Sequence, residues 1–204
     1  MSKNRFEAFS DGVFAIAVTL LVLELHVPDP RPGLPDAGLT QGLLALWPLY
    51  LVYAASFATI GIMWINHHAL FHNVARVTYA ILLFNLLLLM MVAFLPFSIE
   101  VLSKFGLSRG AVEFNGLIFL LIGISYGVLY YVASPTIHGP RTFAGYFTTW
   151  TWWNSVGFIG YFVGIVLARF SPLAGIIVYA LVAVYYALPT ATRQLLNEPS
   201  KPQG

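Results

Sequence analysis

Asp11 and Glu24 bracket an uncharged run of 12 residues, Gly12 to Leu23. Carboxylates at the ends of so short an apolar stretch need partners, by ion pairing or hydrogen bonding, wherever they leave water. Arg5, six residues before Asp11, is an opposite charge on the same segment. Within the run, Ile16, Leu20 and Leu23 fall at i, i+4 and i+7 and share one helical face, with Thr19 beside them. Phe9 and Gly12 or Val13 extend the stripe toward the N-terminus, and taken alone such a stripe is ordinary packing. At about 100° per residue, Asp11 projects about 140° from Ile16, so it belongs against a neighbouring helix. Trp64 stands about one turn before His67. His68 and His72 have the i, i+4 spacing of a zinc pair, but no Glu stands in H-E-x-x-H register and no third acid is near, which favours a structural or interfacial role. No nucleophile–base pair and no phosphate-binding loop is visible, so the residues point away from an enzyme.

The elements that must position these groups follow from composition. Of 204 residues 59% are hydrophobic and 9% charged, against roughly 25% charged in ordinary soluble proteins. A globule of this size cannot hide so much apolar surface. The total amounts to about six spans of about 20 residues each. A polytopic, all-α membrane protein is the fold class. The net charge of +2 excludes the basic excess of a nucleic-acid binder. The absence of cysteine excludes disulfides, Cys-ligated zinc and iron–sulfur clusters. Lys3 and Arg5 before an apolar stretch superficially resemble a signal peptide, but Glu7 and Asp11 interrupt it and no small-residue cleavage site follows.

The spans are expected at about 6–25, 39–66, 77–99, 114–137, 142–168 and 170–192, forming one domain over 1–197 and a disordered tail over 198–204. A loop rich in Pro, Gly and Asp separates the first two, and Pro48 and Pro96 mark possible breaks. Six spans put both termini on one side. That side carries six Lys and Arg residues against four on the other, a bias toward cytoplasmic termini. Trp47, Trp64, Trp150, Trp152 and Trp153 are candidates for the interfacial aromatic belt. Asn85, Asn115 and Asn154 read as interhelical hydrogen-bonding amides, and Gly157, Gly160 and Gly164 as a small-residue packing face. The first span, with charges at both ends, is the least apolar and therefore the innermost; the alternative is a lipid-facing helix whose terminal charges snorkel.

The segment from Arg5 to Asp11 reads R-x-x-x-F-S-D at the head of the first span. With the W-I-N-H-H run at Trp64 to His68, the length and the six spans, it resembles the transmembrane protein 175 family of potassium channels in its short prokaryotic form. The resemblance covers the whole chain, which lacks a TVGYG filter, as that family does. It implies a homotetramer in the cell membrane, with the first helices lining a central pore and no re-entrant loop. One repeat per chain implies four copies. Ile16 matches the first constriction, Leu20 and Leu23 later hydrophobic rings, and Thr19 the polar position before the second ring. The hypothesis that goes with it is a hydrogen-bonded network of Arg5, Ser10, Asp11, Trp64 and His67, Phe9 included with the motif, that anchors the pore helix. The bland reading of His67 is a solvated interfacial histidine. Glu24 is expected at the opposite mouth. The permeant ion is K+, no cofactor or metal is implied, and the partners are the lipid bilayer and further copies of the chain.

The main rival is a secondary or proton-coupled cation transporter. Such proteins usually show internal repeats and broken helices around a midplane site. Here charges are absent from the cores of spans two to six.

Overall fold

The computed structural model describes residues 3–26, 35–138 and 152–187, and among these all regular structure is helical. The helices are α1 (Lys3–Leu20), continued by a 3-10 turn (Leu21–Glu24), α2 (Pro35–Ala45), α3 (Trp47–Asn73), α4 (Tyr79–Ala93), α5 (Leu95–Phe105), α6 (Arg109–His138), α7 (Trp152–Ala168) and α8 (Pro172–Ala187). Among the described residues four stretches are long and apolar enough to cross a membrane: Lys3–Glu24, Trp47–Asn73, Tyr79–Phe105 and Arg109–Ile137. Ser155–Ala168 and Pro172–Ala187 are apolar but shorter.

Proline explains where the elements depart from the expected spans. The span expected at 39–66 is divided at Leu46: α2 ends at Ala45, and α3 starts at Trp47 with Pro48 in its first turn. A proline there loses no helical hydrogen bond, because the first N–H groups have no partner in any case. The helix then runs past Asn66 to Asn73, since Ala69, Leu70 and Phe71 remain buried. Likewise Pro96 sits in the first turn of α5, and the span expected at 77–99 becomes α4 and α5, joined at Phe94. Thr78 caps α4 by accepting from the Ile81 N–H at 3.3 Å. The expected 114–137 span lies within α6. The starts of the spans expected at 142–168 and the end of that at 170–192, with the 198–204 tail, fall outside the described residues.

α6 packs against α4, α5, α7 and α8, while α1 packs against α3 and α4 and its 3-10 turn against α5. Small residues set the closest approach. The Tyr179 ring of α8 occupies the space where a Cβ on Gly116 or Gly164 would stand, and Val182 fills that place opposite Gly160. The Tyr179 hydroxyl donates to the Val112 carbonyl at 3.2 Å, so its ring cannot swing away freely. Gly164→Val is therefore expected to cost about 1–3 kcal/mol of stability, the range for overpacking. A thermal melt of the purified protein checks this; an unchanged midpoint would contradict it.

Candidate functional site

α1 has two unlike faces, and the helical repeat decides which residue belongs to each. Phe6, Ser10, Phe14, Ala17 and Leu21 follow one another at steps of four, four, three and four, and all are buried. They form the seam toward α3, α4 and α5. Phe6 meets Phe71 with ring centroids 4.6 Å apart, and Phe14 meets His67 edge-on at 5.4 Å. An outward face, about 110° round the helix from that seam, carries Phe9, Ile16, Leu20 and Leu23, exposed by 53%, 61%, 40% and 68%. Gly12 lies between them with nothing within 4 Å of the place a Cβ would take. The stripe that reads as ordinary packing in the sequence thus stays largely exposed among the described residues of its own subunit.

Two separate polar ties hold the first half of α1. At the surface, the Trp64 indole N–H donates to Asp11 Oδ1 at 2.8 Å. In the interior, Ser10, Asn85 and His67 form a directed chain. His67 Nε2–H donates to Asn85 Oδ1 at 2.7 Å, and Asn85 Nδ2 donates to Ser10 Oγ at 3.1 Å. Ser10 gives its own proton to the Phe6 carbonyl at 3.1 Å. That last bond fixes the others. With its proton committed, the serine oxygen can only accept, so the amide must turn its NH2 toward it and its oxygen toward the imidazole. The chain therefore assigns His67 a proton on Nε2. His67 is 1% exposed, so it is not a solvated interfacial histidine. Beyond these two, Lys3, which reads as a flanking charge in the sequence, adds a tie at the helix start: its Nζ donates to the carbonyls of Val74 at 3.0 Å and His72 at 3.4 Å. These lie at the C-terminal end of α3, where carbonyls lack helical partners and a cation is favoured.

Of the residues expected in the anchor, the structure joins Asp11 to Trp64 directly, and Ser10 to His67 only through Asn85. Arg5 is exposed and takes no part in either tie. Phe9 is on the outward stripe, and the buried aromatic is Phe6, which sits one helical turn before Ser10. Trp64 is spent on Asp11, whereas Trp47 is half exposed; Trp150 and the side chains of Trp152 and Trp153 fall outside the description.

Toward its C-terminal end α1 loosens. The Thr19 hydroxyl donates back to the carbonyls of Ile16 at 2.9 Å and Ala15 at 3.0 Å. Such back-bonding competes with the helical ladder, and one residue after Leu20 takes over the helix has tightened into its 3-10 turn. Glu24 closes that turn, half buried, its carbonyl accepting from the backbone N–H of His26 at 3.1 Å. The His26 ring reaches α5, with Nδ1 3.2 Å from Ser103 Oγ. No group of three residues able to hold a metal ion is found among the described residues.

The comparisons agree with this arrangement. A family model described as "Endosomal/lysosomal potassium channel TMEM175" matches residues 5–96, the part that contains α1, α3 and α4. A protein of Streptomyces collinus named a potassium channel is 38% identical over 202 residues, covering 94% of this chain and 96% of that one. One of Chamaesiphon minutus, also named a potassium channel, is 47% identical over 130 residues, 62% of this chain; the match spans 64% of that relative's length. A rat protein named an endosomal/lysosomal proton channel, TMEM175, is 44% identical over 110 residues, covering 52% of this chain and 22% of that protein. The crystal structure of a lysosomal potassium-selective channel TMEM175 homolog from Chamaesiphon minutus superposes with a TM-score of 0.77 at 39% identity, covering 91% of this chain and 96% of that one. On these likenesses, and with an all-helical membrane fold behind them, the chain belongs to the TMEM175 family of ion channels.

Proposed function

We propose that the chain is one subunit of a homotetrameric potassium-selective cation channel, with six crossings per subunit, cytoplasmic termini and a central pore lined by α1. The observation that carries this reading is the exposed apolar stripe of Phe9, Ile16, Leu20 and Leu23 on a helix whose seam of Phe6, Ser10, Phe14, Ala17 and Leu21 is buried. Four Ile16 side chains around an axis make an apolar collar, and Leu20 and Leu23 add further rings. Constrictions of this kind close by dewetting. Potassium sheds water more readily than sodium, so a tight collar favours it. Thr19 suits a cation for a reason visible in its bonding: its proton goes back to the helix, and what remains for the pore is an oxygen lone pair. Four Glu24 carboxylates at the mouth raise the local cation concentration.

The ties of Ser10, Asp11, Trp64 and His67, with Asn85 between, serve in this reading to hold the collar in place and do not touch the ion. Asp11→Asn keeps an acceptor for Trp64 but loses the charge that strengthens the bond. It is expected to lower the melting temperature of the assembly and leave ion preference unchanged; a stable tetramer with altered preference would contradict the assignment. Thr19→Val keeps the shape and deletes four hydroxyls. It is expected to reduce the preference for potassium over sodium by about fivefold, the equivalent of one modest hydrogen bond. Reversal potentials measure the change, and an unchanged ratio would leave selectivity to the collar alone.

The deciding experiment is planar-bilayer recording of the purified protein with potassium on one side and sodium on the other. Unitary currents reversing toward the potassium equilibrium potential support the channel. Slow, saturating flux without unitary steps would support the secondary or proton-coupled transporter instead. Because animal relatives are named proton channels, a pH gradient belongs in the same experiment.

A further inference from the structure

Behind α1, and lined by none of its residues, a cleft opens between α3, α6, α7 and α8. Its walls are aromatic: Phe119 and Tyr161 stack at 5.1 Å, and Phe158 stands beside them. Among the described residues no charged side chain lines it, so a charged occupant would find no partner among them. Polar residues line it as well: Thr59, Asn66, Tyr126, Tyr161 and Tyr186. The Tyr161 hydroxyl is 3.4 Å from Thr59 Oγ1, long for a bond between hydroxyls. Thr59 gives its own proton to the Ala55 carbonyl, which makes Tyr161 a donor with little to gain from its present partner. Asn66, half-buried, also lines the cleft; its backbone carbonyl accepts from the Tyr126 hydroxyl at 3.2 Å, and its side-chain amide is both donor and acceptor.

An aromatic cleft with a few placed polar groups is the usual form of a small-molecule site. The enclosed space is about 60 Å³, less than the roughly 150 Å³ that takes up benzene whole. A polar head and the near edge of a ring fit inside, and the rest of the molecule lies in the open mouth.

We propose that this cleft binds a neutral aromatic alcohol or phenol, its hydroxyl toward Asn66 and Tyr161 and the near edge of its ring against Phe158. The site is independent of the pore. It nevertheless adjoins the turn of α3 that carries Trp64 and His67, so an occupant bears on the residues that hold α1.

The test uses the full-length protein in detergent, photolabelled with a diazirine-bearing benzyl alcohol and mapped by mass spectrometry. Label is expected on Asn66, Phe158 or Tyr161 and is displaced by unlabelled benzyl alcohol. Gly123 lines the cleft, and a Cβ there meets only Phe158, at 4.0 Å. Gly123→Leu therefore fills the space and is expected to cut labelling about tenfold, the equivalent of a tenfold loss of affinity, and Asn66→Leu to weaken it as well. Label that resists competition in the wild-type protein, or equal labelling of wild type and a folded Gly123→Leu, would overturn the proposal. The wild-type competition decides the matter even if the variants fail to fold.

Discussion

Ile16→Asn is expected to abolish most of the preference for potassium and to raise conduction at rest. The side chain is 61% exposed in the isolated subunit, so most of it meets no neighbour that would restrain a substitute. Its replacement should therefore leave the fold intact, as surface changes usually do, within about 0.5 kcal/mol. What changes is the collar. Four amides can hydrogen-bond to water, so a constriction that empties when apolar stays wet when polar. A wet ring lets an ion pass with its hydration shell, and the difference in dehydration between potassium and sodium no longer counts. The reversal potential under opposed potassium and sodium should then move close to zero. An unchanged reversal potential in a folded tetramer would show that Ile16 is not the constriction.

Asn85→Leu is expected to destabilise the protein in every subunit. It deletes the amide that bridges α1 to α3 through Ser10 and His67, all three residues being buried. Ser10 retains its bond to the Phe6 carbonyl, so the main loss falls on the His67 N–H, left without an acceptor. A buried donor stripped of its partner costs about 1–3 kcal/mol, repeated in each subunit. Intramembrane hydrogen bonds average nearer 0.6 kcal/mol where the chain finds substitutes, but the surroundings here are the rings of Phe6, Phe14 and Phe71, which offer none. The melting temperature should fall, and folded protein that remains should conduct with its ion preference unchanged. Wild-type stability in Asn85→Leu would mean that the chain is incidental.

The two predictions rest on residues that were unequally legible in the sequence. The stripe of Ile16, Leu20 and Leu23 needs only the helical repeat. Whether such a stripe is covered is a tertiary fact, and the sequence favours the commoner answer, which is packing. Asp11 shows how far an angle reaches: about 140° from Ile16 directs it to a neighbouring helix, and Trp64 of α3 lies there. Asn85 could be read as an interhelical amide but not assigned to partners, because Ser10 is 75 residues away and His67 is 18 away, and no local spacing encodes either meeting. Phe6 and Phe9 differ for the same reason. A motif spells out Phe9, whereas burial of Phe6 depends on Phe71 arriving from α3. Lys3 reads as a flanking charge until the end of α3 is seen to bring two bare carbonyls to it. Helix limits do not follow from charge alone: Pro48, readable as a break, restarts a helix inside an uncharged run, while His67 to Asn73 continue that helix beyond the run.

The central claim, that the outward face of α1 lines a water-filled ion pathway, can be tested directly because the chain contains no cysteine. Single substitutions Ile16→Cys and Leu23→Cys on the stripe, and Phe14→Cys and Ala17→Cys on the packed seam, need no background to be cleared. Each is recorded in a bilayer before and after a charged, water-soluble thiol reagent. The account predicts loss of current at Ile16 and Leu23 and no change at Phe14 and Ala17. Current that survives the reagent at both stripe positions, or is lost at the seam positions alone, would place the ion pathway elsewhere in the molecule.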